Sequence, residues 1–164
     1  IIIEDSSIAR LYIDPTGSVE TLSVTNSEID VFATDYGLSL KHVSFSGCDV
    51  ELDWLNNWLV YCDDLETFTV SGSAMTSLTL TGYTKLKTVD VSDCTSLTSL
   101  TVSGCTNLTS AVMDGCTSLN TLNLSGAAIT DLDLSSCSAL ETLDLSSCSQ
   151  LSQVNVSNCI SYSL

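Results

Sequence analysis

Cysteine recurs every eleven residues, in two runs of three, in the second half of this 164-residue chain. The residues of this series are Cys94, Cys105, Cys116, Cys137, Cys148 and Cys159. Each of the first five begins a phrase of eleven residues on the pattern CTxLxxLxVSx, as in CTSLTSLTVSG from Cys94 and CSALETLDLSS from Cys137. Self-similarity at a short fixed period predicts a solenoid, because each repeat buries its apolar face only against its neighbours.

The same phrase extends towards the N-terminus with other residues in the cysteine position. YTKLKTVDVSD from Tyr83 keeps every apolar position, and GLSLKHVSFSG from Gly37 keeps a looser version of the pattern. We therefore predict a single repeat domain over residues 1–164, with irregular coils over 1–61 and regular repeats over 62–164.

The apolar residues of each phrase stand at its fourth, seventh and ninth positions, as Leu97, Leu100 and Val102 show. The last two alternate with polar residues, which is the pattern of a strand with one buried face. Eleven residues are too few to enclose a packed core, so we expect two phrases of 10–11 residues to form one coil of about 21–22 residues. Each coil then has two extended sides, and successive coils lie about 4.8 Å apart.

Several phrases resemble the leucine-rich repeats of bacterial surface proteins. LTVSGCTNL and LDLSSCSQL fit the LxLxxNxL core of that family with cysteine in the asparagine position, and LSGAAITDLDLSS is similar to the short repeats of internalin-type and gut-bacterial surface proteins. The resemblance implies a leucine-rich repeat solenoid that is right-handed and β-rich, with a parallel sheet and little helix. Both halves of each coil carry the strand pattern, so the sequence leaves open which side is concave.

One segment departs from the spacing, because fourteen residues separate Cys48 from Cys62. ELDWLNNWLVY, over residues 51–61, places its leucines on one helical face and predicts a short helix or a bulged turn. Trp54 and Trp58 in this segment either cover an irregular coil or, if exposed, offer aromatic contacts to a partner.

The cysteines fall into two columns when alternate phrases are stacked. The first column reads Cys62, Tyr83, Cys105, Ala127, Cys148, and the second reads Cys48, Ser73, Cys94, Cys116, Cys137, Cys159. In the first column one other residue stands between each cysteine and the next. Two such cysteines lie about 10 Å apart, which is too far for a disulfide. In the second column neighbouring side chains point the same way, so few or no disulfides are expected. Sulfurs arranged along lines do not form a tetrahedral zinc site, and we predict neither a metal site nor a cofactor.

The charge of the chain excludes some partners. Twenty acidic residues against four basic ones give a formal charge of −16, which disfavours nucleic acids and anionic lipids. No apolar stretch is long enough for insertion into a membrane. Thirteen of the acids lie within residues 1–66, which serves either solubility or an acidic patch for a basic partner.

Two opposite-charge pairs test the predicted coil length. Asp64 and Lys85 occupy the third position of phrases one coil apart, and Glu66 and Lys87 occupy the fifth. Adjacent strands in register would bring each pair together, whereas another coil length would separate them.

A solenoid displays its binding surface at the outward sixth and eighth positions of each phrase. On one side these positions are Thr67, Thr69, Thr88, Asp90, Ser110, Val112, Asp131, Asp133, Gln153 and Asn155. They form our candidate binding face, in which Val112 interrupts an otherwise polar series. The single histidine, His42, is expected to point outward with no nucleophile beside it, so we predict no catalytic residues and no enzymatic activity.

Two functions remain at this stage. The first, implied by the resemblance, is a non-catalytic binding module of a secreted or cell-surface protein that recognises a protein or a glycan. The second is a structural spacer that displays another domain. The residues after Cys159 offer no polar closing element, so we expect either that the native protein continues beyond this point or that two chains associate through the C-terminal end of the solenoid.

Overall fold

The computed structural model describes residues 1–14, 17–30, 32–34, 39–48, 55 and 59–159. The N-terminal strands are β1 (Ile2–Glu4), β2 (Ser7–Ile8), β3 (Leu11–Ile13), β4 (Thr21–Thr25), β5 (Glu28–Ile29), β6 (Phe32–Thr34) and β7 (His42–Ser46). The strands that follow are β8 (Thr67–Thr69), β9 (Ser77–Thr79), β10 (Thr88–Asp90), β11 (Ser99–Thr101), β12 (Ser110–Val112), β13 (Thr121–Asn123), β14 (Asp131–Asp133), β15 (Thr142–Asp144) and β16 (Gln153–Asn155).

These strands stack as coils of a parallel β-solenoid. Six form one sheet in the order β1-β4-β7-β8-β10-β12, and four form a second in the order β9-β11-β13-β15. The remaining strands pair as β14-β16, β2-β5 and β3-β6, and each pairing is parallel. Except between β7 and β8, paired residues on adjacent coils are 21 or 22 residues apart, as are Lys87 with Glu66 and Thr109 with Lys87. The predicted coil length is thereby confirmed.

Both halves of the regular coils form strands, as the double strand pattern predicts. One half supplies β8, β10, β12, β14 and β16, and the other supplies β9, β11, β13 and β15. The N-terminal coils differ in having three short strands each, β1–β3 and β4–β6, although their spacing is also 21 residues, from Ile2 to Ser23. The looser sequence pattern before residue 62 therefore corresponds to coils with an additional bend.

The core is a continuous column of side chains inside the coils. Leu97, Leu100 and Val102, at the fourth, seventh and ninth positions of their phrase, are completely buried. Equivalent leucines and valines from the neighbouring coils belong to the same cluster. Each buried aliphatic side chain contributes about 1.5–3 kcal/mol relative to exposure, so this column is the main source of stability.

Most of the regular phrases end in a turn whose last residue has a left-handed backbone. Gly104 and Gly126 have φ of 68° and 78°, and Ser147 continues their column with φ of 61°. A Cβ atom on Gly126 would lie 3.7 Å from the Cα of Gly104, so these turns also stack closely. Glycine adopts this conformation without the steric cost that a Cβ atom imposes.

The segment that breaks the spacing lengthens one coil. His42 of β7 pairs with Thr67 of β8, which is 25 residues further along the chain. Leu55 and Leu59, its described leucines, have helical backbone conformation and are buried. Trp54 and Trp58 lie outside the described residues, so their predicted role in contacts stays a prediction.

Replacing a stacked turn glycine tests this account of the coil. We expect Gly104→Ala to lower the free energy of unfolding by about 1–2 kcal/mol, because alanine must adopt a left-handed backbone there. Urea denaturation monitored by circular dichroism measures the change. Thr106→Ala, at an exposed position two residues away, is the matched control and should change little. Equal stabilities for the two variants would contradict the account.

Candidate functional site

The ten predicted face residues occupy the ends of five strands on one side of the solenoid. Each strand contributes its first and third residues, and the residue between them points inward, as buried Phe68 does between Thr67 and Thr69. We call this surface the strand face. Its residues are Thr67, Thr69, Thr88, Asp90, Ser110, Val112, Asp131, Asp133, Gln153 and Asn155. The structure confirms their outward placement, and their role in binding stays a prediction.

The strand face extends further towards the N-terminus than the sequence analysis placed it. β7 continues the same sheet, and exposed His42 lies beside Thr67, with 3.0 Å between Nδ1 of the imidazole and Oγ1 of the threonine. His42 and Ser44 stand at the sixth and eighth positions of the phrase GLSLKHVSFSG. The signal was therefore present in the phrase from Gly37, and the ten residues form only part of the surface.

The sheet beneath the strand face is interrupted between β12 and β14. Elsewhere on this side the backbone is bonded coil to coil, as when Val91 N–H donates to the carbonyl of Val112. Across residues 109–115 and 130–136, all of them described, no such backbone bond joins the two coils, and β14 pairs only with β16. The ten predicted residues of the strand face therefore form two groups: six on β8, β10 and β12, and four on β14 and β16.

The interruption coincides with the phrase that departs most from the repeat. In CTNLTSAVMDG, half-buried Ala111 stands where other phrases have leucine, valine or phenylalanine, and buried Met113 follows at the ninth position. The opposite side of the same coils is intact, because Leu124 N–H still donates to the carbonyl of Asp144 at 2.9 Å. The two coils therefore separate on one side only, and this side carries the strand face.

Acidic and amide side chains at the eighth position serve the turn that follows. Oδ1 of Asp90 accepts the backbone N–H of Ser92 at 2.9 Å, and Oδ1 of Asp133 accepts that of Ser135 at 2.8 Å. Asn155 makes the same bond to Ser157 at 3.2 Å. These local bonds stabilise the turn and explain why Asp and Asn recur at this position. Part of the polarity of the strand face is therefore structural.

The four residues on β14 and β16 surround a shallow depression of about 390 Å³. Its lining is Asp131, Leu132, Asp133, Gln153 and Asn155. Asn155 donates from Nδ2 to Oδ1 of Asp133 at 3.1 Å, and hydrogen bonds from Ser135 and Asn155 lower the pKa of the Asp133 carboxyl. The Asp131 carboxylate accepts the neighbouring Thr130 hydroxyl at 2.8 Å. The depression thus presents two exposed carboxylates beside two amide side chains.

The predicted charge pairs form across adjacent coils. Lys85 contacts Asp64, and Lys87 Nζ lies 2.6 Å from an Oε of Glu66. A third pair, Lys41 with Glu20 at 2.5 Å, has the same spacing but falls where the phrase is loose, so the sequence analysis missed it. Such exposed pairs contribute about 0–1 kcal/mol and chiefly report the register.

The cysteines form rungs of packing at the inner corners of the turns. All eight are free thiols, six of them buried, as expected from the two columns. Each of seven thiols donates to a backbone carbonyl of the preceding coil, for example Cys94 to Val70 at 2.7 Å and Cys116 to Val91 at 3.0 Å. The equivalent contact from Cys137 to Met113 is 4.0 Å, which is consistent with the wider separation of the coils beneath the strand face.

Burial makes three of these thiols poor nucleophiles. It raises the pKa of Cys62 and of Cys116 to about 12 and that of Cys137 to about 11, with neighbouring thiols and carboxylates adding to the effect. Thiolate is the reactive form, so at neutral pH these side chains are inert. Within the described part of the chain no cluster of three or more His, Cys, Asp or Glu residues could hold a metal ion.

The parallel coils of 21–22 residues, with a leucine-filled interior and a polar strand face, define a leucine-rich repeat solenoid. A family model for the leucine-rich repeat domain of the endo-beta-N-acetylglucosaminidase EndoS matches residues 60–158. Because the match covers more than half of the chain, the chain belongs to this family. The matched region begins just before the regular repeats that the sequence analysis placed at residue 62.

Among solved structures, an internalin (InlF) of Listeria monocytogenes strain 4b F2365 is similar to the chain. The two are 12% identical, the match covers 83% of this chain and 67% of the internalin chain, and the TM-score is 0.23. With so low a TM-score, the fold assignment rests on the coil geometry and the family match. No curated protein sequence matches the chain. In the described residues, no helix has the length and apolar character needed to cross a membrane.

The raised thiol pKa values predict that stability falls in alkaline solution. Above pH 9.0, the ordinary pKa of a thiol, the unfolded chain loses a proton that Cys116 retains in the folded chain up to about pH 12. The free energy of unfolding should therefore decrease across this window, by at most about 1.4 kcal/mol per pH unit for each such thiol.

Urea denaturation at pH 8, 9 and 10 measures this decrease. Cys116→Ala should show a smaller decrease, and Ala127 in the other column shows that alanine fits such a corner. Half-buried Cys159 supplies the control, since Cys159→Ala should keep most of the slope. An identical slope in the native chain and in Cys116→Ala would contradict the role of burial.

Proposed function

We propose that the chain is a non-catalytic binding module of a secreted or cell-surface protein, and that its strand face recognises a protein or a glycan. The observation that carries the proposal is the interruption between β12 and β14 beside the polar depression on β14 and β16. A flat, uninterrupted sheet of short side chains offers no concave site. The interruption and the depression give this face a shape that a ligand could complement.

The chemistry of the depression suits a partner rich in hydrogen-bond donors. Asp131 and Asp133 present exposed carboxylate oxygens, and Gln153 adds an amide that both donates and accepts. Sugar hydroxyls and the polar groups of a protein surface both meet these requirements. The formal charge of −16 argues against nucleic acids as the partner.

The family match supports the glycan alternative in particular. The matching domain is named for an endo-beta-N-acetylglucosaminidase, an enzyme whose name describes action on a glycan. A repeat domain from such an enzyme has a plausible task in holding a glycan or a glycoprotein. The same reasoning supports a secreted or surface location for this chain.

The arrangement of reactive groups supports a non-catalytic role. His42 has a threonine hydroxyl as its hydrogen-bond neighbour, and burial raises the pKa of the Cys62, Cys116 and Cys137 thiols. Asp131 and Asp133 are bonded to local hydroxyl and backbone groups that shape the strand end. None of these groups forms a nucleophile and base pair within the described residues.

A structural spacer is the second candidate, and the opposite side of the solenoid favours it. The outward residues of β9, β11, β13 and β15 are short and polar, and the sheet is continuous. They are Ser77, Thr79, Ser99, Thr101, Thr121, Asn123, Thr142 and Asp144. Such a surface lacks the aromatic and arginine anchors that concentrate binding energy.

The test is a binding screen of the chain against extracellular matrix proteins and a glycan array, followed by variants. We expect the double variant Asp131→Asn with Asp133→Asn to weaken binding about ten-fold, through loss of two charge-assisted hydrogen bonds. Asparagine preserves the turn bond of Asp133, as Asn155 shows. The readout is the dissociation constant from surface plasmon resonance.

Asp144→Asn is the matched control for this screen. Asp144 makes the same turn bond, to Ser146 at 2.9 Å, on the opposite side of the solenoid, so its replacement should leave binding unchanged. Binding that is equally weakened by both variants would place the site elsewhere. Consistent absence of binding across the screen would favour the spacer.

A further inference from the structure

A second cavity lies at a corner of the solenoid, away from the strand face. It has a volume of about 380 Å³ and is lined by Val60, Asp63, Thr81, Gly82, Tyr83 and Thr84. These residues belong to the turn that precedes β8 and the turn that follows β9. The corner therefore combines an aromatic ring, a carboxylate and two hydroxyl groups in one concave space.

The cavity exists because one corner departs from the repeat. Tyr83 occupies a column position that holds the small residues Cys105 and Ala127 in the next two coils. Those two side chains are buried, whereas Tyr83 is only half-buried, because its ring exceeds the space at the inner corner. The ring therefore forms part of the cavity wall.

The described residues of the preceding coil do not stack on this corner. A Cβ atom on Gly104 would lie 3.8 Å from the Cα of Gly82, but a Cβ atom on Gly82 would meet no atom of the described residues within 4 Å. Gly82 is thus the first residue of its stacked column. The step of 25 residues between His42 and Thr67, in place of 21 or 22, lies just before this corner.

Two polar groups of the cavity are available to a ligand, whereas the Thr81 hydroxyl lies 3.4 Å from the Ser103 hydroxyl. Within the described part of the chain, neither the Tyr83 hydroxyl nor the exposed Asp63 carboxylate is engaged in a hydrogen bond or an ion pair. Burial, together with the nearby Cys62 and Asp63, raises the pKa of Tyr83 to about 12, so the phenol stays neutral. Val60, with 61% of its surface exposed, adds an apolar edge.

The lining of the cavity carries a negative charge. No basic side chain contributes to its lining, and Lys85, two residues beyond Tyr83, is paired with Asp64. The whole chain carries a formal charge of −16. A cation approaching this corner is therefore attracted both by the net charge and by the local carboxylate.

We propose that this corner cavity binds an arginine side chain from a basic segment of a partner protein. The planar guanidinium group stacks on the Tyr83 ring and donates hydrogen bonds to the Asp63 carboxylate, which a compact ammonium group does less well. The hydroxyls of Thr81 and Thr84 accept its remaining donors. The site is separate from the strand face and does not depend on binding there.

Nuclear magnetic resonance of the labelled full chain tests the proposal. The probe is N-acetyl-arginine-N-methylamide, and its citrulline counterpart, which has a similar shape without the charge, is the matched ligand. We expect saturable shifts of the Gly82 amide and the Tyr83 ring with the arginine probe, and at least about ten-fold weaker binding of citrulline.

Variants assign the contacts. We expect Asp63→Asn to weaken binding of the arginine probe about five- to ten-fold and Tyr83→Ala to abolish saturable shifts. Ala127 shows that alanine fits this column. Asp114→Asn, which removes an exposed carboxylate from another turn, should leave the affinity unchanged. If Tyr83→Ala fails to fold, Asp63→Asn decides the question, because it alters no core residue.

Three results would overturn the proposal. If Asp63→Asn and Asp114→Asn weaken binding of the arginine probe equally, the net charge of the chain and not the corner cavity attracts the probe. Shifts confined to Asp131 and Asp133 would place the cation on the strand face. Shifts at Gly82 and Tyr83 with N,N′-diacetylchitobiose, in the absence of any with the arginine probe, would identify a glycan site. If the strand-face variants do not weaken binding in the screen, the proposed function of the strand face is contradicted, and the arginine site at this corner is not.

Discussion

The structure depends on one constraint, the equal length of its coils. Parallel strands bond to one another only if each coil returns to the same height, and the paired residues on successive coils are 21 or 22 residues apart except between β7 and β8, where the step is 25. Where strands pair, their backbone groups bond to the next coil, and the leucines stack into one core. The charge pairs, the stacked turns and the thiol contacts all follow from the same spacing.

The turns make this constant length possible. A left-handed residue, such as Gly104, closes most of the regular phrases, and a small head residue, such as Cys105, then fills the inner corner. The thiol both occupies space and donates to a carbonyl of the coil below, so it replaces part of the hydrogen bonding that the turn removes from the sheet. The cysteine spacing is therefore a consequence of corner packing and requires neither disulfides nor metal.

The features with functional interest occur where the repeat is broken. Ala111 and Met113 stand in the one phrase beside the interrupted sheet, and the depression on β14 and β16 lies next to it. The lengthened coil before β8 and the large side chain of Tyr83 produce the corner cavity. A regular solenoid presents a uniform surface, so its departures from regularity supply the concave sites.

The sequence by itself determined the coil length, the positions of the paired strands from residue 67 onward, the outward face and the pairing of Lys87 with Glu66. These features depend on local periodicity. A side-chain period of two sets which residues point inward, and a regular repeat length sets which residues stack. Only the tertiary structure decided that β12 and β14 separate, that Asp133 serves the Ser135 turn and that no described residue stacks on Gly82 from the preceding coil. Each of these outcomes depends on small differences in how neighbouring coils pack. Residues more than twenty positions apart in the sequence contribute together to that packing.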